Sequence, residues 1–351
     1  MGPEGDRKAM NVGKSIAVFH PDIPVVDLHR HMDGNVRLQT MIDLARQHNL
    51  DLPAWDVEGL RSHVQVTDRV ADLKDGLSKF AMMQSVMVDY DACRRIAWEN
   101  LEDAVREGID YVELRFSPLF MAEAHRLDPI SVASVVCEVL QEARGRLPVQ
   151  AKLIVILSRH YGPEACQAEL DAAIAHQDRG VVAVDLAGVE DIAPGSLFVQ
   201  HYRKARDAGL RITAHAGEWS GVESVRQAVL ELGAERLGHA VAAARDPAAM
   251  DLIAERGIAI ESCPTSNVQF SAVPSYLAHP LPVFLRRGLL VTVNTDDPGI
   301  SGIDLPHEYR VLRQEMGLAE DEVRQVQANG VQAAFLSDEE RTALWRSKQA
   351  R

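Results

Sequence analysis

Residues 181–189 read VVAVDLAGV, a run of small and β-branched apolar residues interrupted by one acid. A continuous apolar run of this length is typical of a strand that is buried on both faces in a parallel sheet. The pattern occurs eight times along the chain. The eight runs are VVDLHRHM (25–32), YVELRFSP (111–118), VQAKLIVILS (149–158), VVAVDLAGV (181–189), RITAHAGE (211–218), RLGHAV (236–241), IAIESCPTSN (258–267) and LLVTVNTDDP (289–298).

Segments with helical periodicity lie between these runs. Apolar residues recur at i, i+3, i+4 and i+7 in residues 36–49, 128–144, 195–209 and 222–233. Strands that alternate with helices in this way predict a (β/α)8 barrel, with an open doubly wound sheet as the alternative. Residues 50–110 are too long for one crossover. Their own periodicity predicts extra helices inserted after the first strand, over the C-terminal mouth of the barrel.

The balance of charge is strongly acidic. The 351 residues include 37 basic and 51 acidic side chains, which gives a formal net charge of −14. Such a chain repels phosphate backbones and anionic lipid, so we expect no nucleic-acid partner and no membrane partner. A small neutral or cationic substrate fits the charge better. No run approaches the roughly eighteen consecutive apolar residues of a membrane span.

The cysteines and the N-terminal residues indicate the cellular compartment. The four cysteines lie far apart and form no CxxC pair, which argues against a disulfide framework and suits a reducing compartment. Residues 1–20 are polar and lack the apolar core of a signal peptide. We therefore predict a cytoplasmic protein with one catalytic domain over residues 21–351 and a flexible extension over residues 1–20.

Titratable residues collect at the carboxyl ends of the predicted strands. In a (β/α)8 barrel the active site is built at that rim, whereas charges scattered by chance would favour the helices. The concentration therefore predicts a functional site. Its members are His29, His31, His215, Glu218, His239, Asp296 and Asp297.

The types of these residues suit a metal site. His29 and His31 stand two apart on a strand, so both side chains point to the same face. With His215 and one carboxylate of the Asp296–Asp297 pair, they offer three nitrogens and one oxygen, a set that suits zinc. The other carboxylate can bond a substrate. No lysine stands at the mouth end of the fourth predicted strand, so we expect one metal ion rather than two.

Each motif also has a plainer interpretation. The H-x-H pair can be a chance pairing, TDDP (295–298) can be a surface turn, and His239 can be a hydrogen-bonded structural histidine. Glu218 can lie in the first turn of a helix, where the helix dipole stabilises it. These interpretations together leave the concentration at one rim unexplained. A glutamate beside a metal-bound water is the usual arrangement for general acid–base catalysis.

Seven motifs, taken in order, resemble the adenosine deaminase family and most closely its bacterial members, over about residues 24–348. The motifs are DLHRHMDG (27–34), YVELRFSP (111–118), VVAVDLAG (181–188), TAHAGE (213–218), RLGHA (236–240), SCPTSN (262–267) and NTDDP (294–298). The resemblance implies a (β/α)8 barrel with one catalytic zinc ion. It also implies the hydrolysis of adenosine and 2′-deoxyadenosine to inosine and 2′-deoxyinosine plus ammonia, a reaction of purine salvage.

The resemblance further implies roles for single residues in the chemistry. The zinc ligands it implies are His29, His31, His215 and Asp296. Glu218 matches the residue that protonates purine N1, and His239 matches the residue that orients the attacking hydroxide and stabilises its charge.

Other residues are expected, on the same resemblance, to bind the substrate. Asp297 matches the group that bonds N7, the backbone of Gly188 meets N3, and Asp33 meets a ribose hydroxyl. His31 is also expected to border the substrate.

The chain departs from the family pattern at two positions. Ala240 stands after His239 where glycine is usual, and Val189 stands after Gly188 where aspartate is usual. Neither is an expected zinc ligand, so we expect the chemistry to survive. Val189 follows Gly188, whose backbone is expected to meet the purine edge at N3. The change at position 189 therefore bears on substrate preference.

The predicted inserted helix carries a candidate lid. Leu77, Phe80 and Met83 stand at i, i+3 and i+6 and could form an apolar cover that excludes water. Ordinary helix packing is the alternative.

Three alternative functions follow from the same residues: deamination of adenine, deamination of aminodeoxyfutalosine, and purine binding without catalysis. Adenine deaminases of the family usually carry glutamate at the position of Asp33, so HMDG (31–34) favours a nucleoside. AMP is disfavoured because no basic cluster awaits its phosphate. The presence of Glu218 and of every expected ligand argues against an inactive protein.

Overall fold

In the computed structural model, which describes residues 18–70 and 73–350, eight strands form one sheet in chain order. Each strand pairs in parallel with the next. The strands are β1 (Val26–His31), β2 (Tyr111–Phe116), β3 (Gln150–Ser158), β4 (Val181–Ala187), β5 (Arg211–Ala216), β6 (Arg236–His239), β7 (Ala259–Ser262) and β8 (Val291–Val293). This order confirms the predicted barrel, because the order of a doubly wound sheet reverses at a switch point.

The barrel closes through the segment that follows β8. The His31 amide donates to the Asp296 carbonyl at 2.7 Å, and the Asp296 amide donates to the His29 carbonyl at 2.8 Å. The Leu28 amide donates to Asn294 Oδ1 at 2.9 Å. The first strand is therefore held against the residues after the last strand, and His29, His31 and Asp296 become neighbours.

All eight strands are shorter than the runs that predicted them, and β7 and β8 are shortened most. Residues 264–267 belong to a helix, and residues 294–297 leave the sheet before the next helix begins at Pro298. Proline has no backbone N–H for a sheet ladder and fits the first turn of a helix, so Pro264 and Pro298 begin helices. The prediction of strand over these residues is wrong.

The helices surround the barrel and alternate with the strands. They are α1 (Leu38–His48), α2 (Val57–Val64), α3 (Leu73–Gln84), α4 (Tyr90–Arg106), α5 (Pro118–Glu123), α6 (Pro129–Ala143), α7 (Gly162–Ala175), α8 (Val199–Asp207), α9 (Val222–Gln227), α10 (Pro247–Glu255), α11 (Pro264–Gln269), α12 (Leu281–Arg286), α13 (Pro298–Ser301), α14 (Leu305–Gln314), α15 (Glu320–Ala333) and α16 (Asp338–Gln349). The four helices predicted from periodicity correspond to α1, α6, α8 and α9. A 3-10 turn (Gly195–Phe198) precedes α8, and a π-helical turn (Ala228–Leu232) extends α9.

Helices α1 to α4 all lie between β1 and β2, which confirms the predicted insertion. The last of them begins at a clear cap, since the Asp89 side chain accepts from the Ala92 amide at 2.8 Å. Residues of α3 line a cavity at the mouth of the barrel. The insertion thus contributes to the candidate site.

The described part of the predicted N-terminal extension, residues 18–20, contacts the barrel. The Phe19 ring packs edge-on against the Tyr309 ring, with centroids 4.8 Å apart. The His20 amide donates to Gln327 Oε1 at 2.9 Å. Residues 1–17 lie outside the described residues. Within the described ranges, no helix is long and apolar enough to span a membrane.

Candidate metal centre and substrate cavity

Three histidines and one aspartate converge at the carboxyl end of the barrel. His29 Nε2 lies 3.0 Å from His215 Nε2, and His31 Nε2 lies 3.3 Å from the same atom. Asp296 Oδ1 lies 3.2 Å from His29 Nε2 and 3.3 Å from His31 Nε2. All four side chains are buried. Three imidazole nitrogens and one carboxylate oxygen at this spacing form a group that can hold one metal ion, which we call the metal group.

A second set of potential ligands overlaps the first. His239 and Cys263 lie close to His29 and Asp296. Burial raises the pKa of the Cys263 thiol well above its usual range, which disfavours the thiolate that a metal requires. Burial lowers the pKa of His31 well below its usual range, which favours the neutral imidazole that ligates. The chemistry of the donors therefore favours the metal group.

Two buried carboxylates orient the histidine rings. His29 Nδ1 lies 2.7 Å from Glu261 Oε2, and His215 Nδ1 lies 3.0 Å from Asp185 Oδ2. These contacts place the ring protons on Nδ1. Both Nε2 atoms are then left with a lone pair directed at the centre of the group.

One guanidinium holds both carboxylates. Arg115 Nη1 donates to Asp185 Oδ2 at 2.8 Å, and Arg115 Nη2 donates to Glu261 Oε2 at 2.7 Å. Arg115 Nη2 also donates to the Leu28 carbonyl at 2.7 Å. The three charged side chains have no exposed area. Arg236 Nε lies 2.6 Å from the other oxygen of Glu261, so Glu261 has two buried cationic partners and Asp185 has one arginine. These pairings matter because an unpaired ion in this interior is strongly destabilising.

Glu218 and His239 lie together beside the metal group. Glu218 Oε1 is 3.6 Å from His239 Nδ1, and His239 Nε2 is 4.0 Å from Asp296 Oδ2. The side-chain amide of Asn267 donates to both residues, to Glu218 Oε1 at 3.2 Å and to His239 Nδ1 at 2.9 Å. With Nδ1 accepting this bond, His239 carries its ring proton on Nε2, on the side of Asp296.

The loop that carries Glu218 is held by the buried side chain of Glu190. Glu190 accepts hydrogen bonds from the amides of Gly217 at 2.7 Å, Glu218 at 2.8 Å and Trp219 at 2.9 Å. The Ser220 amide also donates to it, at 3.3 Å. These backbone donors fix the position from which the Glu218 side chain extends.

The surroundings of Glu218 favour its protonated form. Burial raises the pKa of its carboxyl well above the usual range, and the negative charges of Asp296 and Glu190 act in the same direction. Hydrogen bonds from Trp219 and Asn267 oppose this shift without reversing it. A protonated carboxyl at neutral pH is a general acid.

Asp297 packs against the backbone of Gly34. A Cβ atom at position 34 would stand 1.6 Å from Asp297 Oδ1, so only glycine leaves room for this carboxyl. The same oxygen is buried and has no hydrogen-bond partner among the described residues. Burial, and then the charge of Asp296, raise the pKa of Asp297 well above its usual range. Its carboxyl thus has unused capacity for a hydrogen bond.

A cavity of about 480 Å³ opens beside the metal group. Eight of the nine predicted site residues line it, and the ninth, His29, is fully buried. Asp33 lines the cavity and accepts from the Ser117 amide at 2.8 Å. Gly188 lines it with a φ of +101°, and a Cβ there would meet His160 Nδ1 at 2.7 Å.

Two of the three candidate lid residues border the cavity. Leu77 and Phe80 line it, and Leu77 is 41% exposed. Met83 is fully buried, and its methyl group lies 3.0 Å from where a Cβ of Gly299 would stand. Met83 lies six residues after Leu77, which places the two side chains about 120° apart around the helix axis. Met83 therefore faces the core. Of the two interpretations left open for Met83, ordinary helix packing is the one that applies.

The profile of the adenosine deaminase family matches residues 24–348. The chain belongs to this family. Adenosine deaminase from Escherichia coli (strain SE11) is 52% identical over 322 residues, which cover 92% of this chain and 96% of that protein. These findings confirm the resemblance that the seven motifs indicated.

Solved structures support the same fold. Adenine deaminase from Arthrobacter aurescens superposes with a TM-score of 0.85 at 26% identity, covering 93% of this chain and 98% of its own. An amidohydrolase from Burkholderia ambifaria with bound zinc gives a TM-score of 0.84 at 25% identity, covering 97% of this chain and 94% of its own.

Several residues of this family member shape the site although the sequence analysis gave them no role. Arg115, Asp185 and Glu261 had a detectable signal, because each is a charged residue within an otherwise apolar run. Asn267 ends the motif SCPTSN (262–267), which carried the resemblance without giving this residue a role. Glu190 had no signal, since its partners come from a segment distant in sequence.

Proposed function

We propose that this chain hydrolyses adenosine and 2′-deoxyadenosine to inosine and 2′-deoxyinosine with release of ammonia, using one zinc ion in the metal group. One observation carries the proposal: the metal group, Glu218 and Asp297 face the same cavity. Hydrolytic attack on an aminopurine needs an activated water, a proton for the ring and a group that holds the base.

The metal group fits zinc in the chemistry of its donors, since imidazole nitrogen and carboxylate oxygen are zinc ligands. A zinc ion in such a site supplies hydroxide from water at neutral pH. The carboxylates of Glu261 and Asp185 hold two of the ligand rings in the tautomer that this binding requires.

Glu218 delivers a proton to purine N1 as oxygen adds at C6. When oxygen bonds to C6, the electron pair of the C6–N1 double bond moves to N1. Protonation keeps N1 neutral, so C6 can become tetrahedral. Departure of ammonia needs a further proton on the amino nitrogen. Water supplies the oxygen that remains on C6 and the two hydrogens that balance the reaction.

His239 stabilises the attacking oxygen. Burial lowers the pKa of His239 well below its usual range, so the ring is neutral. With Asn267 bonded to Nδ1, the proton on Nε2 can be donated in a hydrogen bond toward the oxygen that attacks C6.

Asp297 and Asp33 hold the substrate. Purine N7 is an acceptor, so a carboxyl that bonds it must be protonated, and the raised pKa of Asp297 supports this assignment. Asp33 lines the cavity and is assigned to a ribose hydroxyl, while the backbone of Gly188 is assigned to N3. His31 borders the same space.

The charge of the cavity supports a nucleoside rather than a nucleotide. Among the described residues that line it there is no lysine and no arginine. Its lining instead includes five carboxyl groups, those of Asp33, Glu123, Glu218, Asp296 and Asp297. A 5′-phosphate would gain no cationic partner and would face repulsion.

Ammonia release by zinc-loaded protein, measured for adenosine, 2′-deoxyadenosine, adenine and AMP, tests the proposal. We expect both nucleosides to be turned over with a kcat/KM far above those of adenine and AMP. Glu218→Gln is the matched control, and it should lose roughly 10²- to 10⁴-fold in kcat at unchanged zinc content. Faster turnover of AMP or adenine would assign the site to another substrate.

The cysteines support a cytoplasmic location for this enzyme. Cys93, Cys137, Cys166 and Cys263 are all buried and unpaired, which suits a reducing compartment. Thiol titration of the denatured protein, isolated under conditions that block exchange, should find every cysteine reduced. An oxidised pair would contradict the location.

A further inference from the structure

Trp219 follows Glu218 directly and lies at the edge of the cavity, 40% exposed. Its indole Nε1 donates to Glu218 Oε2 at 2.7 Å. The other carboxyl oxygen, Oε1, accepts from Asn267 Nδ2 at 3.2 Å. Two donors from different elements, the loop after β5 and helix α11, therefore hold the two oxygens of one carboxyl.

The backbone beneath this contact is fixed. Glu190 Oε1 accepts from the amides of both Glu218 and Trp219, at 2.8 Å and 2.9 Å. Rotation about the side-chain bonds is the main freedom that remains to the Glu218 carboxyl. A donor to Oε2 removes that freedom.

The indole is itself held against the inserted helix. The Trp219 ring stands edge-on to Phe270, with centroids 6.2 Å apart at 82°. Phe270 packs on α3, where its ring centroid is 6.4 Å from that of Phe80. A Cβ at Gly76 would stand 2.9 Å from Phe270 Cε1, so the ring lies directly on the helix backbone.

We propose that Trp219 is a positioning residue, whose indole N–H fixes the orientation of the Glu218 carboxyl while Phe270 and α3 hold the indole in place. The inference rests on the proposed function, since the oriented carboxyl is the one assigned to protonate N1. Only a carboxyl in the productive orientation can transfer its proton, so a freely rotating Glu218 lowers kcat.

Removal of the indole N–H also has an electrostatic consequence. A hydrogen bond donated to a carboxyl favours its ionised form, so its loss raises the pKa of Glu218 further. The other charged and titratable groups that face this carboxyl stay in place. They are Glu190 after β4, His239 at the end of β6, and Asp296 and Asp297 after β8.

Trp219→Phe tests the role, because phenylalanine keeps a ring against Phe270 and lacks the N–H. We expect kcat for adenosine to fall about tenfold, the effect of losing one hydrogen bond that orients the carboxyl, with little change in KM. The alkaline limb of the kcat/KM profile should move to higher pH. Trp55→Phe is the matched control, since Trp55 is similarly exposed at 44% and does not line the cavity. It should leave kinetics unchanged.

Two kinetic results overturn the role. One is an unchanged kcat in Trp219→Phe. The other is a lower kcat at every pH with the alkaline limb in its wild-type position, which a merely structural effect would give.

Tryptophan fluorescence tests the contact without activity. Subtracting the emission spectrum of Trp219→Phe from that of wild-type protein gives the emission of Trp219 beside Glu218. The same subtraction between Glu218→Ala and the double variant Glu218→Ala/Trp219→Phe gives the emission of Trp219 without the carboxyl. We expect this emission to change when the carboxyl acceptor is removed. An unchanged emission overturns the positioning role whatever the activity. If the emission changes but wild-type protein leaves adenosine intact, the proposed function fails and the role of Trp219 toward Glu218 stands.

Discussion

The carboxyl of Asp297 occupies the space that any side chain at position 34 would need. A Cβ on Gly34 would lie 1.6 Å from Asp297 Oδ1 and 2.6 Å from its Cγ. The glycine that follows Asp33 therefore determines where the last carboxyl of the site points. The role of Gly34 in the motif DLHRHMDG (27–34) is therefore to leave space for that carboxyl.

Gly34→Ala should displace Asp297 and lower kcat/KM for adenosine by about 100-fold, the effect of misplacing a binding group by about 1 Å. Gly221→Ala is the matched control, because a Cβ there meets no atom within 4 Å. Steady-state kinetics with a parallel assay of bound zinc measures both variants. Wild-type turnover by Gly34→Ala would show that Asp297 does not hold the substrate.

Backbone strain also gathers at the site. His239, Ala240 and Asp296 have φ values of +63°, +51° and +63°, a conformation that residues with a side chain rarely adopt. Ala240 stands where the family resemblance led us to expect glycine, and its left-handed backbone explains why glycine is usual there.

At the scale of elements, the buried charges that hold two rings of the metal group come from three strands. Arg115 comes from β2, Asp185 from β4 and Glu261 from β7. The two acids hold the rings of His215 and His29, so the arginine links the strands to the ligands.

Arg115→Met should lower the free energy of unfolding by about 3–5 kcal/mol, because buried Asp185 loses its arginine and buried Glu261 keeps only Arg236. It should also weaken zinc binding by about 10- to 100-fold, because the carboxylates of Asp185 and Glu261, which orient two of the ligand rings, move. Denaturant unfolding of the metal-free protein and a zinc titration measure the two effects.

Arg94→Met is the matched control for that change. Arg94 pairs with Glu138 and Glu142 at the surface, and such pairs contribute about 1 kcal/mol or less. Equal destabilisation by the two substitutions would contradict the interior role of Arg115.

The sequence predicted the strands and the rim residues because both depend on local pattern. β1, Val26–His31, lies within its apolar run, and His215 and His239 lie at the carboxyl ends of β5 and β6, one residue before the end and at the end respectively. The bond between Arg115 and Glu261 joins residues 146 positions apart, and no local pattern states which charges meet across a barrel. The role of Met83 stayed open for a related reason, since helical spacing alone does not say which apolar face turns inward.

At the scale of the whole molecule, buried carboxyls make stability depend on pH. Glu169 on α7 accepts from Ser117 Oγ at 2.5 Å and from the Ser158 amide at 3.0 Å. Burial raises its pKa from 4.5 to about 7. Because the pKa in the folded state exceeds that in the unfolded state, the stabilisation is fully present below pH 4.5 and is lost as pH rises through about 7.

Glu169→Gln should remove this dependence, because glutamine stays neutral. Relative to the variant, wild-type protein should lose about 3 kcal/mol of unfolding free energy as pH rises from about 4.5 to above 7. Denaturant unfolding across this range measures the difference. Glu164→Gln, at an exposed position of the same helix, is the control. Parallel curves for wild-type and Glu169→Gln protein would contradict the assignment.

The folded barrel brings a metal group and a general acid into one cavity, and a single assay examines both. Ammonia release from adenosine is followed with purified protein, again after a chelator has removed the metal, and again after zinc is restored. We predict rapid release that disappears with the metal and returns with zinc. Release that persists in metal-free protein, or no release by zinc-loaded protein, would contradict a zinc-dependent adenosine deaminase.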